Sequence, residues 1–155
     1  MNIYLDMDGV GVDFAGAIFK DTGYKHVGPN YRLPKEITKF YREQGTSWWT
    51  NLEPYPWFDN LLDIMGTVTL LTSAPTGAAY EGKMSWASKN GLGIIVTNHK
   101  HLVGNGILID DYESNINMWQ GPCILFPQPW NRTRRLCDDR LGYVTKRMKE
   151  ITTCV

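Results

Sequence analysis

The sequence lacks several features that mark whole classes of protein. It has no apolar run near the roughly 18 residues needed to cross a bilayer, no internal repeat and no low-complexity stretch. Its 16 basic and 16 acidic side chains cancel, so there is no global basic excess of the kind found in duplex-coating proteins. These absences argue against a membrane-spanning protein, a repeat protein and a duplex-coating protein.

Cysteine is scarce as well. The three cysteines, Cys123, Cys137 and Cys154, are an odd number at spacings that match no zinc or disulfide framework. The first residues carry no basic charge and reach an acid at Asp6, so we expect no signal peptide. A reduced, cytoplasmic compartment is the simplest expectation.

What is present is an ordinary globular composition. The 155 residues are 43% hydrophobic and 21% charged, which suits one compact domain with a small insertion. Short apolar runs that end at polar or turn-forming residues predict five strands, at Ile3–Met7, Val68–Leu71, Ile94–Thr97, Ile107–Ile109 and Cys123–Phe126. Apolar stripes at helical spacing lie between and after the later runs. This alternation predicts an α/β fold with a mainly parallel sheet flanked by helices.

One segment interrupts the alternation. It holds no convincing strand but many aromatic residues, namely Phe19, Tyr24, Tyr31, Phe40, Tyr41, Trp48, Trp49, Tyr55, Trp57 and Phe58. An apolar stripe after Pro34 predicts a short helix. We expect a small helical cap at residues 14–66, inserted after the first strand of a core formed by residues 1–13 and 67–155. Packing of a second small core is the alternative role for these aromatic rings.

Two acidic pairs follow predicted strands. Asp6 and Asp8 end the first strand, and Asp110 and Asp111 end the fourth. Because ligands of parallel sheets bind at the carboxyl ends of the strands, we expect these carboxylates to lie within a few ångströms of one another. They would repel unless a cation neutralised them or some protonated, and oxygen ligands alone favour Mg²⁺. Alternatively, these acids cap helices or lie in exposed turns. That interpretation would be preferred for a single acidic pair, but two pairs at strand ends favour the cation site.

Hydroxyl and lysine side chains accompany the acids. Thr72 and Ser73 end the second strand ahead of a helix, where hydroxyl and backbone N–H groups suit a phosphate, although Thr-Ser before Ala-Pro is also an ordinary turn. Lys83 and Lys100 follow the second and third strands, near the same edge of the sheet. Either lysine could neutralise a substrate oxyanion, and a solvated surface position is the alternative for each.

These residues, in this order, resemble the haloacid dehalogenase-like (HAD) phosphohydrolase superfamily, which has a Rossmann-like fold. The match comprises Asp6-x-Asp8-Gly9-Val10, Thr72, a lysine and Asp110-Asp111. A finer resemblance is to the 5'(3')-deoxyribonucleotidase family, and it is carried by Asp13-Phe14, residues 71–75, Lys83 with Trp86, residues 108–111, and residues 124–126 followed by Gln128-Pro129-Trp130-Asn131. Gly11 departs from the pattern, where an aliphatic residue is usual, and the cap is short.

The resemblance implies a Mg²⁺-dependent phosphomonoesterase that hydrolyses (deoxy)nucleoside monophosphates. It implies that Asp6 is the nucleophile, forming an aspartyl-phosphate, and that Asp8 is the general acid and base. The implied magnesium ligands are Asp6, the backbone carbonyl of Asp8 and one of Asp110 and Asp111, with Asp111 favoured as the direct ligand. The implied phosphate-binding residues are Thr72, Ser73, Lys83 and Lys100, and the two lysines compete for one motif.

The cap is expected to recognise the leaving group. Trp48, Trp49 and Phe58 are the aromatic residues expected to line the pocket, because bases stack on aromatic faces, and core packing is their alternative role. The expected partner is therefore a small-molecule nucleotide, with no membrane and no nucleic acid. A short cap leaves part of the site open, which a second copy in a homodimer would complete.

Three other functions stay open. The first is a HAD phosphatase for another small phosphomonoester, and the second is a non-catalytic module that binds a nucleotide or phosphate. The third is a polynucleotide 3'-phosphatase, suggested only by the local basic excess between Arg132 and Lys149.

Overall fold

The computed structural model describes residues 1–27 and 32–153, so Tyr31 and Cys154 lie outside the described residues. It contains one five-stranded sheet with strands β1 (Ile3–Leu5), β2 (Thr69–Thr72), β3 (Gly93–Val96), β4 (Ile107–Asp110) and β5 (Cys123–Leu125). Each predicted strand is confirmed to within two residues at either end. The largest difference is at β1, which ends two residues early because the carbonyl of Met7 accepts the hydrogen bonds of a tight turn.

Seven helices and two short 3₁₀ segments surround the sheet in the described part of the chain. The helices are α1 (Phe14–Thr22), α2 (Lys35–Arg42), α3 (Thr46–Thr50), α4 (Phe58–Met65), α5 (Gly77–Lys89), α6 (Glu113–Met118) and α7 (Arg140–Thr153), and the 3₁₀ segments are Lys100–Leu102 and Arg134–Asp139. None of these helices has the length and apolar character required to cross a bilayer.

The strand order is β3-β2-β1-β4-β5, and every pairing is parallel. The predicted α/β fold with a parallel, HAD-like sheet is confirmed. The order reverses at β1, which lies between β2 and β4. Ligands of open α/β sheets bind outside the carboxyl ends of the strands at such a reversal. The acids that follow β1 and β4 therefore lie at the position where a site is expected.

Helices cover both faces of the sheet, and alternate residues of a strand point to opposite faces and so join different cores. Leu5, Leu70 and Ile109 join the larger core, which α4, α5 and α7 cover with Leu61, Trp86, Val144 and their neighbours. Tyr4, Leu71 and Leu108 join the smaller core on the other face, which α6 and the following Trp119 cover. A sheet covered on both faces leaves its strand ends as the place for polar chemistry.

The segment between β1 and β2 is helical, as predicted, with α1 to α4 in its described part. Phe58, Leu61 and Met65 of α4 belong to the same core as the central strands. Helix α3 packs closely on α5, where a Cβ at Gly82 would meet the Cβ of Trp49 and the carbonyl oxygen of Thr46. The division into a cap at residues 14–66 and a core domain stays a prediction.

The packing of α3 on α5 predicts that Gly82→Ala destabilises the protein. The added methyl group has no room beside Trp49 and Thr46, and overpacking of this kind costs about 1–3 kcal/mol. Gly77→Ala in the same helix is the matched control, because nothing lies within 4 Å of a Cβ built there. That control is expected to be neutral or slightly stabilising. Urea unfolding compares the two variants, and equal midpoints would contradict the close α3–α5 contact.

Candidate active site

The central strands bring the two acidic pairs to one point. The amide of Asp6 donates to the carbonyl of Ile109 at 2.8 Å, which places the end of β1 beside the end of β4. Thr72 ends β2 on the other side of β1. Because the three strands are parallel neighbours, Asp6, Asp110 and Thr72 lie at adjacent positions along one edge of the sheet, where the sequence predicted them.

A tight turn follows β1 and places Asp8 away from Asp6. The carbonyl of Met7 accepts hydrogen bonds from the amides of Val10, Gly11 and Val12. Gly9 has φ 84°, and a Cβ there would collide with the carboxylate of Asp111, so the turn requires glycine for both reasons. Gly11 is needed for space, because a Cβ there would lie 2.9 Å from the ring of Phe58.

Three buried carboxylates form the centre of the site. Asp6, Asp110 and Asp111 each offer an oxygen, and these three atoms lie within 4.8 Å of one another. Burial, then the charges of Asp6 and Asp110, raises the pKa of Asp111 well above its ordinary value. Burial also raises the pKa of Asp110 to about 6, against the opposing effect of Lys100. The cluster therefore holds more negative charge than the protein itself neutralises.

Lys100 forms hydrogen bonds with two of the three acids. Its Nζ donates to Asp6 Oδ1 and to Asp110 Oδ2, at 2.7 Å each. Burial alone would lower the pKa of this lysine, but Asp110 and Asp6 together raise it above its ordinary value. Because an ammonium has three donors and two are used here, one donor is left for a ligand.

Lys83 has different partners. Its Nζ donates to Asp8 Oδ2 at 2.6 Å, to Thr72 Oγ1 at 3.0 Å and to the carbonyl of Ser73 at 2.6 Å. All three ammonium donors are thus engaged within the protein. Lys83 is almost completely buried, and it holds Asp8 and the end of β2 in one arrangement.

The donor set fits a divalent cation. Asp111 Oδ1 is buried without a hydrogen-bond partner in the described structure, whereas Asp111 Oδ2 accepts from Trp130 Nε1 at 2.6 Å. A buried carboxylate oxygen without a hydrogen-bond partner, beside two other acids, lowers the stability of the folded protein unless a cation binds to it. The side chain of Asp8 is not part of this group, and its Oδ2 pairs with Lys83. Its backbone carbonyl as a metal ligand stays a prediction.

Two cavities open onto these residues. The smaller, of about 230 Å³, is polar, and its lining includes Asp6, Asp8, Thr72, Ser73 and Lys100. The larger, of about 360 Å³, meets the same site at Asp8, Ser73 and Asp111, and its remaining wall is mostly apolar and aromatic, with Phe14, Ile18, Leu33, Tyr41, Trp49, Pro75 and Trp130. Five of the six residues predicted for catalysis and phosphate binding thus line one cavity, and Lys83 lies behind it.

The three aromatic residues predicted for the substrate pocket lie in different places. Trp49 lines the larger cavity and stacks on Phe14, with ring centroids 5.7 Å apart. Trp48 is not among the residues of that lining, and its indole donates to Asp21 at the surface. Phe58 is buried in the main core against Trp86. Helix α4 thus turns Phe58 toward the sheet, and the contact of Trp48 and Phe58 with substrate stays a prediction.

Several residues of the site had no role assigned from the sequence. Asn115 donates to Asp110, Trp130 to the carboxylate of Asp111, and Asn131 to the carbonyl of Asp111. Gln128, Trp130 and Asn131 follow β5 at the same edge of the sheet, so the strand-end rule that identified the acids applies to them too. Tyr41, His26 and Arg42 line the larger cavity, and no spacing signal in the sequence marks them.

Comparison with known proteins agrees with this geometry. The model of the family described as "5' nucleotidase, deoxy (Pyrimidine), cytosolic type C protein" matches residues 1–140. The comparison with curated proteins gives no match. The family match covers both acidic pairs, both lysines and the turn after β5. The chain therefore belongs to the 5' nucleotidase, deoxy (pyrimidine), cytosolic type C family, and it is a nucleotidase, a phosphatase of the HAD-like hydrolases.

Proposed function

We propose that this nucleotidase is Mg²⁺-dependent and hydrolyses (deoxy)nucleoside monophosphates through an aspartyl-phosphate on Asp6. The observation that carries the proposal is a cluster of three buried acids of which one, Asp111, lines an aromatic cavity together with Asp8. Asp6, Asp110 and Asp111 form a cluster suited to a hard cation, and Asp8 lies apart from them against Lys83. Two carboxylates in such different surroundings suit two different roles.

The residues suited to hold Mg²⁺ are Asp6 and Asp111, with the backbone carbonyl of Asp8. Asp111 is favoured over Asp110 because its Oδ1 has no hydrogen-bond partner among residues 1–27 and 32–153, whereas the oxygens of Asp110 accept from the amide of Tyr112, from Asn115 and from Lys100. A divalent cation bound there would reduce the repulsion between the nucleophilic carboxylate and the phosphate dianion. Oxygen ligands without His or Cys are the set that Mg²⁺ prefers.

The proposed reaction divides between Asp6 and Asp8. Both hydrogen bonds that reach the Asp6 carboxylate from the described residues fall on Oδ1, which leaves Oδ2 to attack phosphorus. Asp8 enters this step protonated, and as the bond between phosphorus and the ester oxygen breaks it donates that proton to the leaving alkoxide. Asp8 then takes a proton from water as that water attacks the aspartyl-phosphate, which releases phosphate and restores Asp6.

The phosphoryl oxygens are assigned to the polar cavity. Thr72, Ser73 and the remaining donor of Lys100 line it, and a phosphate there lies beside Asp6. Lys83 is proposed to act differently from the other phosphate-binding residues, because its three donors already hold Asp8, Thr72 and the Ser73 carbonyl. It would orient the acid and the hydroxyl that meet the substrate.

The nucleoside is assigned to the larger cavity. Its volume of about 360 Å³ is typical of a small-molecule site, and its aromatic wall suits a base. In the basic C-terminal segment, which suggested a polynucleotide substrate, Arg132 pairs with Glu113 and Arg147 with Glu150. The cytoplasmic location and the homodimer stay predictions.

Phosphate release from a panel of monophosphates tests the function. We expect release from dUMP, dTMP and dGMP in Mg²⁺, none in EDTA, and a loss of roughly 10³-fold or more in Asp6→Asn. UMP and 3'-dUMP report the preference for sugar and for ester position, and para-nitrophenyl phosphate reports a phosphatase without nucleotide recognition. Full activity in Asp6→Asn would refute the nucleophile, and release from para-nitrophenyl phosphate alone would refute the nucleotide substrate.

Magnesium is expected to stabilise the folded protein against heat. At a concentration about a hundred times Kd, a ligand of the folded state adds about 2.7 kcal/mol, or roughly 5–10 °C in a domain of this size. Asp111→Asn should lose most of this shift, because it removes a charged ligand from the cluster. Asp63→Asn, at an exposed position of α4, is the control and should keep the shift. An equal shift in both variants would exclude Asp111 as a ligand.

The cavity wall predicts different effects for two neighbouring aromatic residues. Tyr41 and Trp48 both contact the edge or face of Phe14, at 5.4 and 6.0 Å between centroids, but only Tyr41 lines the larger cavity. Tyr41→Leu should raise KM for dUMP by roughly 5- to 150-fold, since base stacking contributes about 1–3 kcal/mol. Trp48→Leu should leave KM within about two-fold. Steady-state kinetics measure both KM values. A larger increase in Trp48→Leu than in Tyr41→Leu would indicate that the base contacts Trp48 instead.

A further inference from the structure

The turn that follows β5 contacts both acidic loops of the site. The side chain of Gln128 donates to the carbonyl of Gly9, and Trp130 Nε1 donates to Asp111 Oδ2 at 2.6 Å. Asn131 Nδ2 donates to the backbone carbonyl of Asp111 at 2.9 Å. Asp111 is therefore held at its main chain and at its side chain by one turn, which takes no part in the bond-breaking steps proposed above.

The two oxygens of the Asp111 carboxylate have unlike surroundings. Oδ2 accepts the indole N–H of Trp130, and Oδ1 is buried without a partner in the described structure. Lys100 contacts Asp6 and Asp110 but makes no ion pair with Asp111. Among the described residues, the indole is thus the side-chain donor that sets the orientation of this carboxylate.

Trp130 is itself held in place. Its side chain is buried, and the centroid of its ring lies 4.6 Å from that of the His26 ring. Both residues line the larger cavity. The Asp111 carboxylate also lies against Gly9, where no Cβ could fit. The indole donor and the close backbone of Gly9 both lie against the carboxylate and leave it little freedom to rotate.

We propose that Trp130 is a positioning residue that orients the carboxylate of Asp111 so that Oδ1 is presented to the divalent cation. The inference rests on the proposed function, because it needs a cation at the acidic cluster. The 2.6 Å hydrogen bond from the indole to Oδ2 is short, and an outer partner of this kind fixes the orientation of a metal ligand before the ion arrives. Without the indole N–H, the carboxylate would have to be reoriented by the cation itself.

Trp130→Phe tests the proposal by removing the N–H while keeping a buried ring. We expect Mg²⁺ to bind about 10- to 100-fold more weakly in isothermal titration calorimetry, the loss typical of a removed outer-shell partner. The apparent KM for Mg²⁺ should rise to match, with kcat at saturating Mg²⁺ nearly unchanged. Trp130→His, which keeps a ring N–H, should bind Mg²⁺ more tightly than Trp130→Phe.

Trp119→Phe is the matched control. Trp119 is equally buried and its Nε1 donates to the carbonyl of Gly106 at 3.1 Å, but it packs in the smaller core, on the face that α6 covers. Its Mg²⁺ affinity should equal that of the wild type. Unchanged affinity in Trp130→Phe, or an equal loss in both variants, would overturn the positioning role alone. Absence of Mg²⁺ binding by the wild type would overturn the cation site and, with it, this inference.

Discussion

The mutual repulsion of three buried carboxylates is the constraint on which the rest of the site depends. One oxygen each of Asp6, Asp110 and Asp111 lies within 4.8 Å of the other two, and the single positive charge of Lys100 pairs with Asp6 and Asp110 but not with Asp111. In a dry interior, such an imbalance is tolerated only if a proton or a cation joins the cluster. The same imbalance suits phosphoryl transfer, because a site that attracts a cation can then admit a phosphate dianion.

The architecture meets this constraint by placing β1 between β2 and β4. That order puts the acids of two strands side by side and the hydroxyl of Thr72 next to them. Asp8 stands directly before Gly9 in the turn that follows β1. Its carboxylate lies outside the acidic cluster and pairs with Lys83. One pair of neighbouring aspartates therefore acquires two electrostatic environments, as the proposed roles of nucleophile and acid–base group require.

Much of this arrangement could be predicted because it is local. The strands follow from short apolar runs, and the acids follow from their position directly after those runs. The family resemblance, carried by the order of Asp6, Thr72, the lysines and Asp110, is confirmed by the match over residues 1–140. The roles of the two lysines could not be separated, since both follow strands and both lie near one edge of the sheet.

The sequence by itself determined the fold class, the sheet edge that carries the site, and the acidic, hydroxyl and lysine side chains that gather there. The tertiary structure decided which partner each charged group meets: Lys83 pairs with Asp8 across 75 positions of the chain, and Lys100 with Asp6 across 94. It also decided that Trp49 faces the cavity whereas Phe58 faces the core, and that Trp130 reaches Asp111. These outcomes depend on helix rotation and side-chain rotamers, which packing between distant segments sets and which spacing along the chain does not encode.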